Sequence, residues 1–397
     1  MIDPAVLQTI SLLRLNLCTP STLFSAVQTI DHLKMKLSCE ESLRADVKEQ
    51  ITLDDAFRGF SCTKLITTIS VLQCVEKKMI GLDDEVETIL PELKDPEIIL
   101  PDSTTSFRLE RAKNKITVRH LLTHTSGISY DAMHPLLVAW RKSRGEQPLV
   151  MSGRTIEAFS LPLLFEPGTS WVYGASLDWA GVLVERLSNM KLATYMEEHV
   201  FRPLGLTNTT LHITERPDMQ KLLAQMFVRT GEGKLAPIPS PYPEDAQETS
   251  GGMGLITTTS DFVKVLTDLL KDSPVLPKAD FVTEMFTPQF HQGTSQYEGL
   301  IKQEALHKQL TGDDTGCPGV AFGLGGMVIK EDTPNLPAKC LTWNGMPNIG
   351  WFVNRESGLG AVYVSQLLPA GDSESAKLLG EFWRRVWVDH LAGRNIT

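Results

Sequence analysis

Ser61-Cys62-Thr63-Lys64 sets a hydroxyl and an ammonium three positions apart, where an apolar-periodic stretch begins. On a helix, positions i and i+3 share a face. A serine hydroxyl is a poor nucleophile until a neighbour takes its proton. Lys64 is placed to do that, or to supply positive charge that helps another base. A helix starting at Ser61 adds partial positive charge and free N–H groups toward a developing oxyanion. The spacing alone is common. The same chain carries Ser188-Asn189-Met190-Lys191 at a predicted helix end, where the N–H groups are bonded and the dipole is negative.

Two further segments can complete such a site. Tyr173, in Trp171-Val172-Tyr173-Gly174-Ala175-Ser176, lies between a turn and a predicted helix. Beside a cation its phenolate becomes accessible, and it can then take the Ser61 proton and return it to a leaving group. Trp343-Asn344-Gly345-Met346 ends a predicted strand. Glycine there lets backbone approach a substrate closely, and the Met346 N–H can pair with that of Ser61 as an oxyanion hole. His120 and His124 are spaced i, i+4 but lack the Glu of an H-E-x-x-H motif and a nearby third ligand. Buried histidines holding a turn are the expectation there, with no metal and no cofactor. No G-x-S-x-G elbow surrounds any serine.

The elements that must position these residues follow from periodicity. Residues 61–79 read as a helix with Leu65, Ile69, Leu72 and Val75 in one stripe, capped by Gly81. Thr117 can cap a short helix, Val118–Thr123. A helix is expected from about Ser176, and another over Leu192–Val200. Val320–Ile329, Lys339–Trp343, Ile349–Asn354 and Leu359–Gln366 read as strands of an antiparallel meander. A last helix, Ser375–Leu391, would bury Leu378, Phe382, Val386 and His390. Upstream, Ala5–Leu15 and Ser21–Leu37 carry helical patterns. The class is α+β: an antiparallel sheet flanked by helices, plus a mostly helical lobe. The expected division is residues 1–57 as a divergent N-terminal segment and 58–397 as the catalytic domain. Within the latter, the helical lobe covers about 65–230 and the strands about 320–366.

Composition narrows the partners. The chain has 397 residues, a net charge of −10 and scattered basic residues. That disfavours nucleic acid and an anionic membrane surface. No apolar run nears the roughly 20 residues of a membrane span, and Met1-Ile2-Asp3-Pro4 lacks a basic leader. Six cysteines without a CxxC pair read as reduced thiols of a cytoplasmic protein, so the sequons at Asn208 and Asn395 read as chance.

Several segments fall in a recognisable order: Ser61-x-x-Lys64, His120-Leu121-Leu122-Thr123-His124-Thr125-Ser126-Gly127, Glu166-Pro167-Gly168, Tyr173, Gly251-Gly252-Met253-Gly254 and Phe322-Gly323-Leu324-Gly325-Gly326. From about residue 55 onward the chain resembles the serine β-lactamase and penicillin-binding-protein superfamily. It is most like the fungal branch of statin-pathway acyltransferases and related to family VIII-type esterases. The resemblance implies a β-lactamase/transpeptidase-like fold and Ser61 as the acylated nucleophile. It implies Lys64 and Tyr173 as the base system, and the N–H groups of Ser61 and Met346 as oxyanion hole. Arg58, Tyr130, Gly345 and Trp343 match positions near the substrate pocket. The implied partners are a small acyl donor and an alcohol acceptor. The implied donor is an ester or a thioester, the latter free or on an acyl carrier or polyketide synthase.

Three departures bear on these expectations. Residues 1–57 lack the opening that normally supplies sheet strands, which predicts an uncovered sheet edge. Ser176 and Ala370 replace an Asn and a Trp of the statin branch, which points to a different acceptor. The leading reading is an acyltransferase acting on a polyketide-like alcohol. The alternatives are an esterase using the same acyl-enzyme and, given the N-terminus, an inactive binding protein on the same fold. β-Lactamase activity is disfavoured, because Trp343-Asn344-Gly345 stands where those enzymes carry K-T-G and its cation.

Overall fold

Runs of β-formers near the C-terminus pair in succession and recruit two strands from the other end of the chain. The computed structural model describes residues 52–103, 106–312 and 319–392, with the course of two earlier strands. In chain order the central sheet contains β1 (Leu23–Thr29), β2 (Leu33–Lys34), β3 (Val320–Phe322), β4 (Met327–Ile329), β5 (Cys340–Gly345), β6 (Ile349–Asn354) and β7 (Leu359–Ser365). In space the order is β3-β4-β5-β6-β7-β1-β2, antiparallel throughout. β6 and β7 are buried at every position. Their near-continuous apolar sequences reflect a sheet covered on both faces.

The covering helices lie on opposite faces. Of the labelled helices α1 is Thr63–Glu76, α2 Val118–Leu122, α3 Ser176–Ser188, α4 Thr259–Leu270 and α5 Ser373–Leu391. Leu266 and Leu270 of α4 lie over Gly360 of β7, while Leu379 and Trp383 of α5 lie over Gly350 of β6. Next to the sheet, α1 packs against α3, and α3 against α2, so the helix following Ser61 is enclosed. Among the described residues no helix is long and apolar enough to cross a membrane.

Several expectations change. Leu23–Thr29 is a strand, not part of a helix over Ser21–Leu37, and it pairs with β7 along seven residues, Leu23↔Ser365 to Thr29↔Leu359. Tertiary pairing here overrides a local helical pattern. The edge expected to lie open at β7 is therefore filled. The other N-terminal helix, Ala5–Leu15, lies outside the described residues.

The helix predicted over 61–79 begins as a 3-10 turn, Phe60–Cys62, and ends at Glu76. Gly81 is not its cap. The left-handed position belongs to Lys78 (φ +57), with Lys78 N–H donating to Val75 O and Met79 N–H to Cys74 O. That is the Schellman pattern with lysine in the glycine position. The Gly81 N–H is committed to the Asp84 carboxylate at 2.6 Å. On α5 the buried face carries Leu379, Trp383 and Val386. It is turned from the predicted stripe because Trp383 packs on Phe352 at 5.0 Å.

Three histidines are held neutral by burial. His120 and His124 lie below the ordinary imidazole range, His124 far below, and His307 is pushed down to about 4. The unfolded chain protonates near pH 6.5 and the folded protein only at lower pH, so protons favour unfolding in between. Stability is expected to be level above about pH 6.5 and to fall as the pH drops toward 4. His307 alone contributes on the order of 3 kcal/mol at the acid end. Urea midpoints at pH 7 and pH 5 check this; an unchanged midpoint contradicts it.

Candidate active site

Ser61 is presented by a pinned turn. Gly59 N–H donates to Leu255 O at 2.8 Å, Thr63 Oγ1 donates to Phe60 O at 2.6 Å, and Leu255 N–H donates to Thr63 Oγ1 at 3.1 Å. Phe60 adopts φ +43, a left-handed conformation that an aromatic residue rarely takes. Such strain persists where surrounding contacts over-determine it, and Phe60 is buried. The result is a serine one step ahead of α1, partly exposed, with the enclosed helix behind it.

Ser61 Oγ lies 2.5 Å from the Tyr173 hydroxyl. Lys64 Nζ approaches Ser61 Oγ at 3.3 Å and lies 4.9 Å from the centre of the Tyr173 ring. Spacing along one helix and a turn 112 residues away thus deliver three groups to one point. Ser61 and Tyr173 are partly exposed, while Lys64 is 1% exposed. Reactants can reach the hydroxyls, and the cation stays out of water, where its field is least screened.

Tyr130 is a second tyrosine against the same lysine. Its hydroxyl is 3.0 Å from Lys64 Nζ and 3.1 Å from Asp178 Oδ2. Burial and the Asp178 charge push its phenol well above the ordinary range. Tyr130 therefore stays protonated and donates to Asp178. Lys64 Nζ also donates to Gly252 O at 2.8 Å, and Gly252 N–H donates to Asp178 Oδ1 at 3.1 Å. Ser250 Oγ bonds the same carboxylate oxygen. A Cβ on Gly252 would lie 2.3 Å from Asp178 Oδ2, so glycine is required there.

The other expected residues divide. Gly345 ends β5 against the Ser61 turn, where a Cβ would lie 2.5 Å from Gly59 O. Met346 follows it, partly buried. Trp343 is 1% exposed and packs at a tilt against Tyr173, ring centres 5.4 Å apart, with Phe322 and His124 around it. It forms the floor of the site rather than an open wall. Arg58 lines a shallow recess with Phe60, Tyr242 and Glu244. Its guanidinium meets Glu244 and Ala224 O, while Nε is buried without a partner in the described structure.

His120 is absorbed by structure: its Nδ1 accepts the Thr117 N–H at 3.2 Å and closes a capping box on α2. His124 packs edge-on against Tyr173 at 5.0 Å. Ser188 of the second S-x-x-K donates to Val184 O at 2.7 Å at the end of α3, far from any acyl chemistry.

The two substitutions read as marks of the acceptor behave differently. Ser176 is buried and bonds Ser126 Oγ at 2.8 Å, so it does not face the cleft. Ala370 is exposed on a loop that Asn348, in the turn after Met346, holds through Leu367 O at 2.8 Å and Pro369 O at 2.9 Å. Asp178, Gly252 and Ser250 were not singled out from sequence. Asp178 reads there as an ordinary first-turn helix acid. A glycine acting through its peptide carries no side-chain signal, although Gly251-Gly252-Met253-Gly254 marks a place where backbone comes close.

With this geometry described, comparison with known proteins gives consistent results. The family described as Beta-lactamase matches residues 42–380. Acyltransferase calJ of Penicillium decumbens is 36% identical over 347 residues, covering 85% of this chain and 83% of its own. Lovastatin esterase of Penicillium rubens is 33% identical over 379 residues, covering 90% and 91%. Among solved structures, unliganded simvastatin synthase from Aspergillus terreus superposes with a TM-score of 0.83 at 31% identity, covering 94% of each chain.

Proposed function

The chain belongs to the Beta-lactamase family, and from that membership we propose that it is an acyltransferase working through a Ser61 acyl-enzyme, with a polyketide-like alcohol as acceptor. The observation that carries the reading is the 2.5 Å contact between Ser61 Oγ and Tyr173 OH, with Lys64 Nζ 3.3 Å from the same oxygen.

Tyr173, beside the buried Lys64, takes the Ser61 proton as Oγ attacks a thioester or ester carbonyl. The N–H groups of Ser61 and Met346 hold the oxyanion. Tyr173 returns the proton to the departing thiol or alcohol, and the acyl group stays on Ser61. In the second half the acceptor hydroxyl gives its proton to Tyr173 and attacks the acyl ester, and the proton returns to Ser61 Oγ as the product leaves. Arg58 and its recess serve substrate binding, as do Gly345 and Met346 beside the Ser61 turn. Ala370 leaves room at the rim beside Met346 for a bulky acceptor. Trp343 at the floor of the site carries no cation for a drug carboxylate, which weighs against β-lactamase action. The strands β1 and β2 remove the motive for reading an inactive binding protein. The described cysteines, Cys62, Cys74 and Cys340, are free thiols, which suits a cytoplasmic protein.

An esterase shares every step but the last, and one relative is named as an esterase. The two differ in how well the cleft holds an alcohol against water. The acyl-enzyme is to be trapped from a panel of short acyl thioesters, identified on Ser61 by mass spectrometry, and offered polyketide-like alcohols in water. Ester product at millimolar alcohol is the expected outcome. Release as free acid alone, at a rate indifferent to the alcohol, fits the esterase and removes the transferase.

A further inference from the structure

We propose that Asp178 is a positioning residue for the nucleophile: acting through Tyr130 and the Gly252 peptide, its carboxylate aligns the donors of Lys64 and so turns the Ser61 proton toward Tyr173. Hydrogen-bond direction here is set by groups that cannot reverse. An ionised carboxylate only accepts. Asp178 Oδ1 meets the Ser250 hydroxyl and the Gly252 N–H, and Oδ2 meets the Tyr130 hydroxyl at 3.1 Å. With the Tyr130 proton spent on Asp178, the Tyr130 oxygen can only accept from Lys64, 3.0 Å away. Gly252 O likewise can only accept, at 2.8 Å. Two of the three ammonium hydrogens are thus committed, and the third points at Ser61 Oγ, 3.3 Å away. Ser61 Oγ accepts that hydrogen, and its own proton is directed to Tyr173 OH at 2.5 Å.

Two routes therefore join Asp178 to Lys64, one through a phenol and one through the two peptide groups that flank the Gly252 Cα. The peptide route explains why Gly252 has no room for a side chain: a Cβ would strike the carboxylate. Other groups facing this array are few. His124 is held neutral by burial and by Lys64, Cys62 is held as the thiol by burial, and Tyr242 is raised partly by the Asp178 charge. Burial also pushes the Asp178 carboxyl up, while Lys64, Ser250, Tyr130 and the Gly252 N–H oppose it. Among these neighbours, Lys64 is the cation that balances the Asp178 charge.

The arrangement rests on the acyl-enzyme reading only for its catalytic consequence, so it is tested first without substrate. The tyrosinate absorbance of wild type minus Tyr173→Phe, followed against pH, reports the Tyr173–Lys64 pair. In the Asp178→Asn background the lost negative charge is expected to lower that titration by about one pH unit or more. An amide N–H turned toward Tyr130 would also reverse the donor chain. The burst of p-nitrophenol from a short-chain p-nitrophenyl ester is the second readout. The ascending limb of its pH profile is expected to move the same way, with a fall of about 10- to 100-fold in plateau acylation rate.

A titration unmoved in folded Asp178→Asn overturns the proposal, even where the burst is slower. A titration that moves in a protein showing no Ser61-dependent burst leaves the proposal standing and removes the acyl-enzyme reading instead. Should Asp178→Asn not fold, Tyr130→Phe decides. It severs the phenol route alone, and the titration must move down by a smaller amount; no movement overturns the proposal.

Discussion

Ser61→Ala is expected to abolish the acylation burst and to lower turnover of a chromogenic ester by about 10⁴-fold or more, with stability little changed. The reason lies in how the groups combine. In the proposed mechanism Tyr173 and Lys64 act on the Ser61 proton and on nothing else in the first half-reaction, so without the hydroxyl neither has a task. Tyr173→Phe should cost less, about 10²- to 10⁴-fold, the usual worth of a positioned acid–base. Its loss should fall on kcat more than on KM, because the phenol acts on a proton in flight rather than on bound substrate. The double variant should be scarcely slower than Ser61→Ala alone. Burst kinetics with all three proteins measure these effects. Multiplicative losses in the double variant would mean that Tyr173 works on something other than the Ser61 proton.

Arg141→Met is expected to be the most destabilising of the changes considered, by about 3–5 kcal/mol. Arg141 and Asp131 are buried together, at 3% and 0% side-chain exposure, with Nε 2.9 Å from Oδ2. The guanidinium also bonds Ala158 O at 2.7 Å, Glu157 O at 3.2 Å and Glu146 at 2.8 Å. Methionine keeps the stem but strands the Asp131 charge with the N–H groups of Leu149 and Val150 for company. Removing both charges, as Arg141→Met with Asp131→Asn, should cost less than removing the arginine alone, since no ion is then left unpaired. Urea denaturation of the single and double variants tests this. Because Asp131 follows Tyr130 directly, the single variant should also loosen the tyrosine that meets Lys64.

The meeting of Ser61, Lys64 and Tyr173 was legible because each carries a local mark: a spacing of three for Ser61 and Lys64, and a turn before a helix for Tyr173. Trp343 was legible as a member of the site but not as its floor, since a strand's sequence does not say which ring lies under which. Asp178 escaped notice because its partners lie 48 and 74 residues away, at Tyr130 and Gly252. The meander at β5–β7 announced itself through continuous runs of β-formers. β1 did not, because what makes it a strand is β7, and Thr29 and Leu359 are 330 residues apart. Local pattern can rank helix against strand only where the deciding contacts are local as well.

That pairing fixes an order of events during synthesis. At roughly 5–20 residues per second, β1 leaves the ribosome some 20–60 s before its partner exists. For most of that interval the sheet next to Ser61 lacks β5 and β6 as well. The nucleophile is thus translated early but assembled last, when the ends of the chain meet. An incomplete chain released before β5 carries every residue of the Ser61–Lys64–Tyr173 trio and lacks Trp343, the floor of the site.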